Sequence, residues 1–357
     1  MKVSIGAHIK EGPWGGGNLF FRNLKIYLEN NNHQVINHLL DEDIDIVLLT
    51  DPRKDSESSS FTHLEIEKYK KEINPRVSFV HRINECDERK NTQGLNKFIN
   101  LANKDSDATV FVSNWIKSLY ENQGYKFKNP EVIMSGSNTS IFNSNNYKPW
   151  DENEKISIVT HHWGGNWNKG FDTYKKLDDL LDNSSFSKLF KFTYIGNVPE
   201  NFEFKNTELI PPLSGLELAS ELKKNHIYIT GSLNEPSGNH HIEAALCGLP
   251  ILYINSGALP EYCYNYGVEF TLENLEEKIV EIKKNYFEII ENLKSYPYIS
   301  DQMCRDYELL FLSLHNISLS TNRNIKKVSR LNRLKLKIKK IIYLKIYNLI
   351  RKNKLWN

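Results

Sequence analysis

Glu235-Pro236-Ser237-Gly238-Asn239-His240-His241-Ile242-Glu243, continuing into Ala244-Ala245-Leu246-Cys247-Gly248-Leu249-Pro250, is the stretch from which the rest of the chain is read. Before it, Ile227-Tyr228-Ile229-Thr230 is an apolar β-branched run with the pattern of a buried strand. After it a helical stretch ends at Gly248 with Pro250 just beyond, and Ile251-Leu252-Tyr253-Ile254 reads as a second strand. This order puts Glu235 in a loop and Glu243 about one turn into a helix. Gly238, Asn239 and His240 lie where that helix opens, and free N–H groups there, with the positive end of the helix dipole, attract an anion such as phosphate. One carboxylate before an anion site and one after it suits a ligand with hydroxyls at both ends and phosphate in the middle. A nucleoside diphosphate sugar has that layout. The spacing alone also fits a surface helix with two solvated glutamates.

Upstream, residues 1–137 read as one α/β domain. Strands are expected at 2–5, 34–38, 44–49, 77–81, 108–112 and 132–134, with helices at 19–29, 64–73 and 114–122. Strands alternating with helices mean a parallel sheet. Residues 138–154, rich in Asn, Ser and Pro, read as a linker. A second domain over 155–300 has strands at 156–160, 192–195, 208–210, 227–230 and 251–254, and a long amphipathic helix at 275–293. Residues 301–322 are read as a helix crossing back to the first domain.

The central stretch resembles the E-x7-E signature of the family 4 retaining glycosyltransferases, in which E-P-x-G-x-x-x-x-E leads into A-x-x-x-G-x-P. Glu235, Pro236, Gly238, Glu243, Ala244, Gly248 and Pro250 fall on its anchors. The resemblance covers residues 1–315 and is strong over 227–261. It implies the GT-B architecture: α/β, with two Rossmann-like domains facing across a cleft. It further implies that Glu243 accepts hydrogen bonds from the donor ribose and Glu235 holds hydroxyls of the transferring sugar. Lys169, in Lys169-Gly170, would contact the diphosphate with the N–H groups at Gly238, Asn239 and His240. His81, at a strand end, would face the donor sugar. Gly16, Gly17 and Asn18, after the first strand, would let backbone approach the donor phosphate or the acceptor. Gly196 and Asn197, with the 211–214 loop, lie where the family holds the base. Ser135-Gly136-Ser137-Asn138 resembles the family hinge with departures at Ser135 and Ser137-Asn138, and the loop 255–261 resembles a Gly-rich loop ending in Glu. One departure bears on charge. The family carries an Arg five or six residues before the lysine, where this chain has Trp163 and Gly164, so one positive phosphate contact is missing unless His162 or an Arg from elsewhere replaces it. Arg82, Asp87 and Arg89 form a polar loop with the composition of an acceptor contact.

At 357 residues the chain fits two domains, and 39% hydrophobic with 25% charged residues is the composition of a globular protein. Cys86, Cys247, Cys263 and Cys304 are scattered without a CxxC pair, which points to a reducing compartment rather than a zinc or disulfide framework. The start reads as a strand and no run approaches the ~20 apolar residues of a membrane span. The expectation is a cytoplasmic protein, peripheral to the inner membrane face. The net charge of +2 hides an asymmetry, because 323–357 carries 13 Lys and Arg and no acid. Leu334, Ile338, Ile342, Ile346, Leu349 and Ile350 recur there at helical spacing among the cations, the pattern of an interfacial helix on an anionic membrane. A solvated tail is the plainer reading. With no aromatic platform or known module, nucleic acid is not an expected partner.

Other constellations carry less. Gly15-x-Gly17 begins a dinucleotide fingerprint, but Phe20 occupies the third glycine position. His161-His162 and His240-His241 lack metal-ligand spacing. Asp41-Glu42-Asp43 matches a metal-binding D-x-D but precedes a strand, so a solvated turn is expected. The reading is therefore metal-independent sugar transfer, with retention, from a nucleoside diphosphate sugar to a saccharide or lipid-linked acceptor. No cofactor is called for, and the setting is cell-surface polysaccharide or glycolipid synthesis. The alternatives are a sugar-nucleotide epimerase of the same architecture and a degenerate nucleotide-sugar-binding protein.

Overall fold

The computed structural model describes residues 1–9, 16–320 and 330–353. The first unit alternates β1 (Lys2–Ile5), α1 (Gly16–Asn30), β2 (Gln34–Ile36), β3 (Ile46–Leu49), α2 (His63–Glu72), β4 (Ser78–Ile83), α3 (Asp87–Lys90), α4 (Leu95–Asn103), β5 (Ala108–Phe111), α5 (Asn114–Asn122) and β6 (Pro130–Val132). The second comprises β7 (Ile156–His162), α6 (Phe171–Leu180), α7 (Ser184–Ser187), β8 (Phe190–Gly196), β9 (Glu208–Ile210), α8 (Gly215–Leu222), β10 (Ile227–Thr230), α9 (Asn239–Leu246), β11 (Ile251–Ile254), α10 (Leu259–Cys263), β12 (Gly267–Phe270), α11 (Leu275–Lys284) and α12 (Tyr286–Leu293). Two helices follow, α13 (Ser300–Ser320) and α14 (Arg330–Asn353).

The strands form two six-stranded sheets, ordered β2-β1-β3-β4-β5-β6 and β12-β11-β10-β7-β8-β9. Every pairing is parallel. Such strands are buried on both faces, which is why β3 reads as an unbroken apolar run and β5 and β10 as apolar runs with a single threonine each. Strand order reverses between β1 and β3 in the first sheet and between β7 and β10 in the second. In open α/β sheets ligands bind beyond the carboxyl ends of strands at such reversals. The two reversals open towards one interdomain cleft.

Phe20 and Leu24 of α1 pack with Met303, Tyr307 and Phe311 of α13, so the helix that follows the second unit closes the core of the first. The crossings are tied together. Ser137 N–H donates to Tyr298 O at 3.3 Å and Ser300 N–H to Ser137 O at 2.9 Å. A Cβ on Gly136 would lie 2.2 Å from Ile299 O, so only glycine lets the two strands pass. The 138–154 segment is not a loose tether, since Phe142 and Trp150 join the second core and Tyr147 Oη meets Tyr286 Oη at 2.8 Å. The helix expected at 275–293 breaks at Asn285.

The basic tail is helical from Arg330 and docks on the first domain. Leu336 is buried with Ile44 and Ile66. Lys340 Nζ reaches Asp41 Oδ1 at 2.5 Å, and Arg333 Nε reaches Glu42 at 3.4 Å. Asp41, expected in a solvated turn, is thus buried, also paired with Lys2 at 2.9 Å. Leu331, Leu334, Ile338, Ile341 and Ile342 lie on the opposite face of α14, exposed. The side chains of Ile346, Leu349 and Ile350 lie outside the described residues, as do 321–329 and 354–357. No described helix is long and apolar enough to cross a membrane.

Candidate active site

The cleft between the units holds a cavity of about 440 Å³, the size of a small-molecule site. From the first domain Gly16, Gly17, Arg82 and Arg89 line it; from the second, His161, His162, Lys169, Glu235, Gly238, Asn239, His240 and Glu243. Both carboxylates of the central motif therefore face the cleft at the β7/β10 reversal.

Glu235 is fixed by its backbone. Asn234, at φ 50°, turns the chain, and its N–H donates to Ser256 Oγ at 2.8 Å. Ala258 N–H donates to Glu235 O at 2.8 Å. Gly257, at φ +65°, packs so closely that a Cβ would sit 2.3 Å from Glu235 N. The 255–261 loop is thus the seat of Glu235. On the carboxylate, Oε2 accepts from Ser232 Oγ and Lys169 Nζ, both at 3.1 Å, and lies 3.3 Å from Arg89 Nη2. Burial alone would raise the Glu235 carboxyl, but Lys169 and Arg89 outweigh it and hold the group far below the ordinary carboxylate range. Two cations meet one carboxylate, leaving a surplus of positive charge in a sheltered cleft.

Lys169 ends a short 3₁₀ turn, Trp167–Lys169, before α6. Gly170, at φ +105°, lies against Gly231, where a Cβ would come within 2.5 Å of the Gly231 carbonyl carbon. That contact brings the lysine turn onto the end of β10. Arg89 arrives from the other domain on α3, and Asn234 Nδ2 donates to Glu88 O at 3.2 Å beside it.

α9 opens at Gly238, where a Cβ would lie 2.4 Å from the His240 ring. His240 Nε2 meets Thr230 Oγ1 at 2.9 Å and His162 Nε2 meets Tyr174 Oη at 2.6 Å. Burial pushes both rings well below the usual histidine range, so both are neutral. His162 therefore brings no positive charge to the cleft, and Arg89 is the second cation, with Lys169, beside Glu235. Glu243, also buried, has Oε2 3.0 Å from His161 Nε2.

Other expected site residues divide. A Cβ on Gly16 would stand 3.2 Å from the Asn239 side chain, so the first glycine loop meets the α9 entrance across the cleft. Asn18 lines a neighbouring cavity of the first domain instead. Gly196 and Asn197 do not line the cleft; Ile195 does. Gly196, at φ +140°, lets β8 pass His162 O, which a Cβ would approach to 2.0 Å, and Asn197 Nδ2 donates to Trp163 O at 2.7 Å. Both shape the loop that follows β8. His81 likewise lines only the neighbouring cavity. Its Nδ1 lies 3.2 Å from Asn103 Nδ2, and burial lowers its pKa to about 3. Strand side chains alternate between faces, so Arg82, not His81, is the β4 residue that reaches the cleft. Asp87 accepts the N–H groups of Leu95 and Asn96 at 2.9 Å each and organises its own loop rather than a ligand.

Sequence reasoning missed a closing contact. Glu261 accepts from Asn114 N–H at 2.8 Å and Trp115 N–H at 2.5 Å, capping α5 of the opposite domain. Tyr262 Oη donates to Val112 O at 3.0 Å and accepts from Ser135 N–H at 2.9 Å. No sequence signal pairs these residues, which stand more than a hundred positions apart.

No family model matches the chain, and no curated protein matches it. Solved structures do. Sucrose-phosphate synthase from Thermosynechococcus elongatus is 12% identical with a TM-score of 0.63, over 88% of this chain and 99% of that one. The Anabaena protein HepE in complex with UDP-glucose is 12% identical with a TM-score of 0.64, over 87% and 99%. An α-glucosyltransferase in complex with UDP and a 13-mer DNA is 12% identical with a TM-score of 0.59, over 88% and 99%. The chain has the fold of these proteins, the two facing Rossmann-like domains of the GT-B architecture.

Proposed function

We propose that the protein transfers a glycosyl group from a nucleoside diphosphate sugar to an acceptor hydroxyl, with retention and without a metal ion. The observation that carries this reading is the convergence of Lys169 and Arg89 on Glu235 beside the α9 entrance, at the reversal of the second sheet. Neighbours of the same fold are described with UDP or UDP-glucose, which makes UDP the first nucleotide to test. Glu243 binds the ribose and Glu235 holds sugar hydroxyls. When the bond from the anomeric carbon to the diphosphate oxygen breaks, its electron pair stays with the diphosphate. Lys169, Arg89 and the α9 N–H groups are placed to stabilise that charge. Arg89 takes the part of the arginine absent at Trp163 and Gly164. Because it comes from the opposite domain, the site is complete only when the cleft is closed, which also keeps water from the donor.

The exposed stripe of α14 and its flanking Lys335 and Lys337 suit a helix lying on an anionic bilayer, which would bring the cleft to a lipid-linked acceptor. Cosedimentation with anionic vesicles that survives deletion of 323–357 refutes that part. The transferase reading is tested by a thermal-shift screen of nucleotide sugars, followed by transfer assays of Glu235→Ala and Lys169→Ala. Wild-type transfer by both variants refutes it.

A further inference from the structure

Behind the glycine turn at Gly16 and Gly17 a second cavity of about 450 Å³ lies wholly in the first domain, at the β1/β3 reversal of its sheet. It shares Gly16, Gly17, Arg82, Asn84 and Glu85 with the donor cleft, so a ligand in it would abut one in the other. Its chemistry is polar and mostly paired. Arg53 grips Asp51 with two hydrogen bonds, of 2.9 and 2.8 Å, and Lys90 lies 3.2 Å from Glu85.

Arg82 is different. It lines both cavities yet is only 4% exposed, and its Nε and Nη1 have no hydrogen-bond partner. Among the described residues it forms no ion pair within 4 Å. Its guanidinium lies over the Phe20 ring, 4.1 Å from the centroid, a contact worth about 2 kcal/mol or somewhat more when desolvated. Withdrawing a cation from water costs several kcal/mol, and burying one without a counter-charge is among the most destabilising arrangements known. Burial correspondingly pushes the Arg82 pKa down. The Tyr307 hydroxyl and the more distant Glu85 carboxylate offset that burial only in part. The fold thus keeps a guanidinium, a group whose planar fork fits an oxyanion, with two unpartnered nitrogens and, among the described residues, no carboxylate within 4 Å at the junction of two cavities.

We propose that Arg82 is the receptor for an acid group, phosphate or carboxylate, carried by the acceptor bound in this second cavity. The word acceptor rests on the transferase reading; the anion site does not. The Lys169, Glu235 and Glu243 cluster accounts for the donor across the cleft, which leaves the first-domain cavity to the other substrate. An acidic acceptor would supply the counter-charge that Arg82 lacks and be held by its charge next to the sugar to be transferred.

The test compares wild type with Arg82→Met by thermal shift, first with UDP alone, then with inorganic phosphate or glucuronate added at saturating UDP. Expected, measured from each protein's own UDP-bound melting temperature, is a further saturable rise in wild type only, of about 2 °C or more at ten times the half-saturating anion concentration. Which anion acts separates a phosphorylated acceptor from a uronic acid. Unliganded Arg82→Met should melt at or above the wild-type temperature, because a buried unpaired charge is removed. An anion shift in both proteins or in neither, or a lower melting point for the unliganded variant, overturns the proposal. If UDP shifts neither protein, the donor reading is what has failed. The same anions added without nucleotide then decide the Arg82 site by the same wild-type-minus-variant difference.

Discussion

Replacing Arg89 by Met removes one of two cations from the carboxylate at the centre of the cleft. Arg89 Nη2 lies 3.3 Å from Glu235 Oε2, and Lys169 Nζ lies 3.1 Å from the same atom. The three groups together carry one positive charge; without Arg89 they carry none. A hydrogen bond to a charged group in such a setting is worth about 1.5–3 kcal/mol. At about 1.4 kcal/mol per decade, nucleoside diphosphate binding should weaken about ten- to 150-fold. Arg89→Lys, which keeps the charge but loses the fork, should fall between. Calorimetric titration with UDP measures the loss, and titration with uridine, which has no phosphate, is the control. A variant that binds UDP as wild type does, or loses uridine and UDP equally, refutes the assignment of Arg89 to the diphosphate.

Three further outcomes are expected. Glu261→Ala removes the cap that α5 receives from the other domain and should lower stability by about 0.5–2 kcal/mol, with a more open particle by small-angle X-ray scattering. Gly257→Ala forces a side chain at φ +65° against the Glu235 backbone; it should cost about 1–3 kcal/mol and lower nucleotide-sugar affinity, both absent if the loop does not seat Glu235. His81 and His241 are buried neutral, each with its pKa lowered to about 3. The unfolded chain then binds protons that the folded one refuses. Their contribution is complete above pH ~6.5 and is lost as pH falls towards 3, about 2 kcal/mol from each by pH 5. Urea denaturation at pH 7 and pH 5 checks this, and His241→Phe should flatten the dependence.

The sequence and the structure agree where the information is local. Parallel strands buried on both faces leave apolar runs, and helices between them leave amphipathic ones. That is why β10, α5 and β11 fall at the residues expected from pattern alone. They part where the relevant neighbour is distant. The acidic turn at Asp41 looks solvated until α14 is laid over it. The two-residue pair His81-Arg82 is legible as a strand end, but which of the two enters the cleft depends on the register of β4 between its neighbours. A one-residue change of register would exchange them. Gly196 and Asn197 sit at a strand end in sequence, yet close packing against His162 and Trp163 spends them on loop shape.

By itself the sequence determined the two-sheet architecture and put Glu235, Gly238 and Glu243 around a helix entrance, because strand period, helix period and the conformations of Pro and Gly are encoded over a few residues. Only the tertiary structure decided which cation completes that entrance, which strand residue is left without a counter-charge, and which acid bolts one domain to the other. Those are properties of groups brought within 4 Å from positions far apart in the chain, and no local pattern specifies such an encounter.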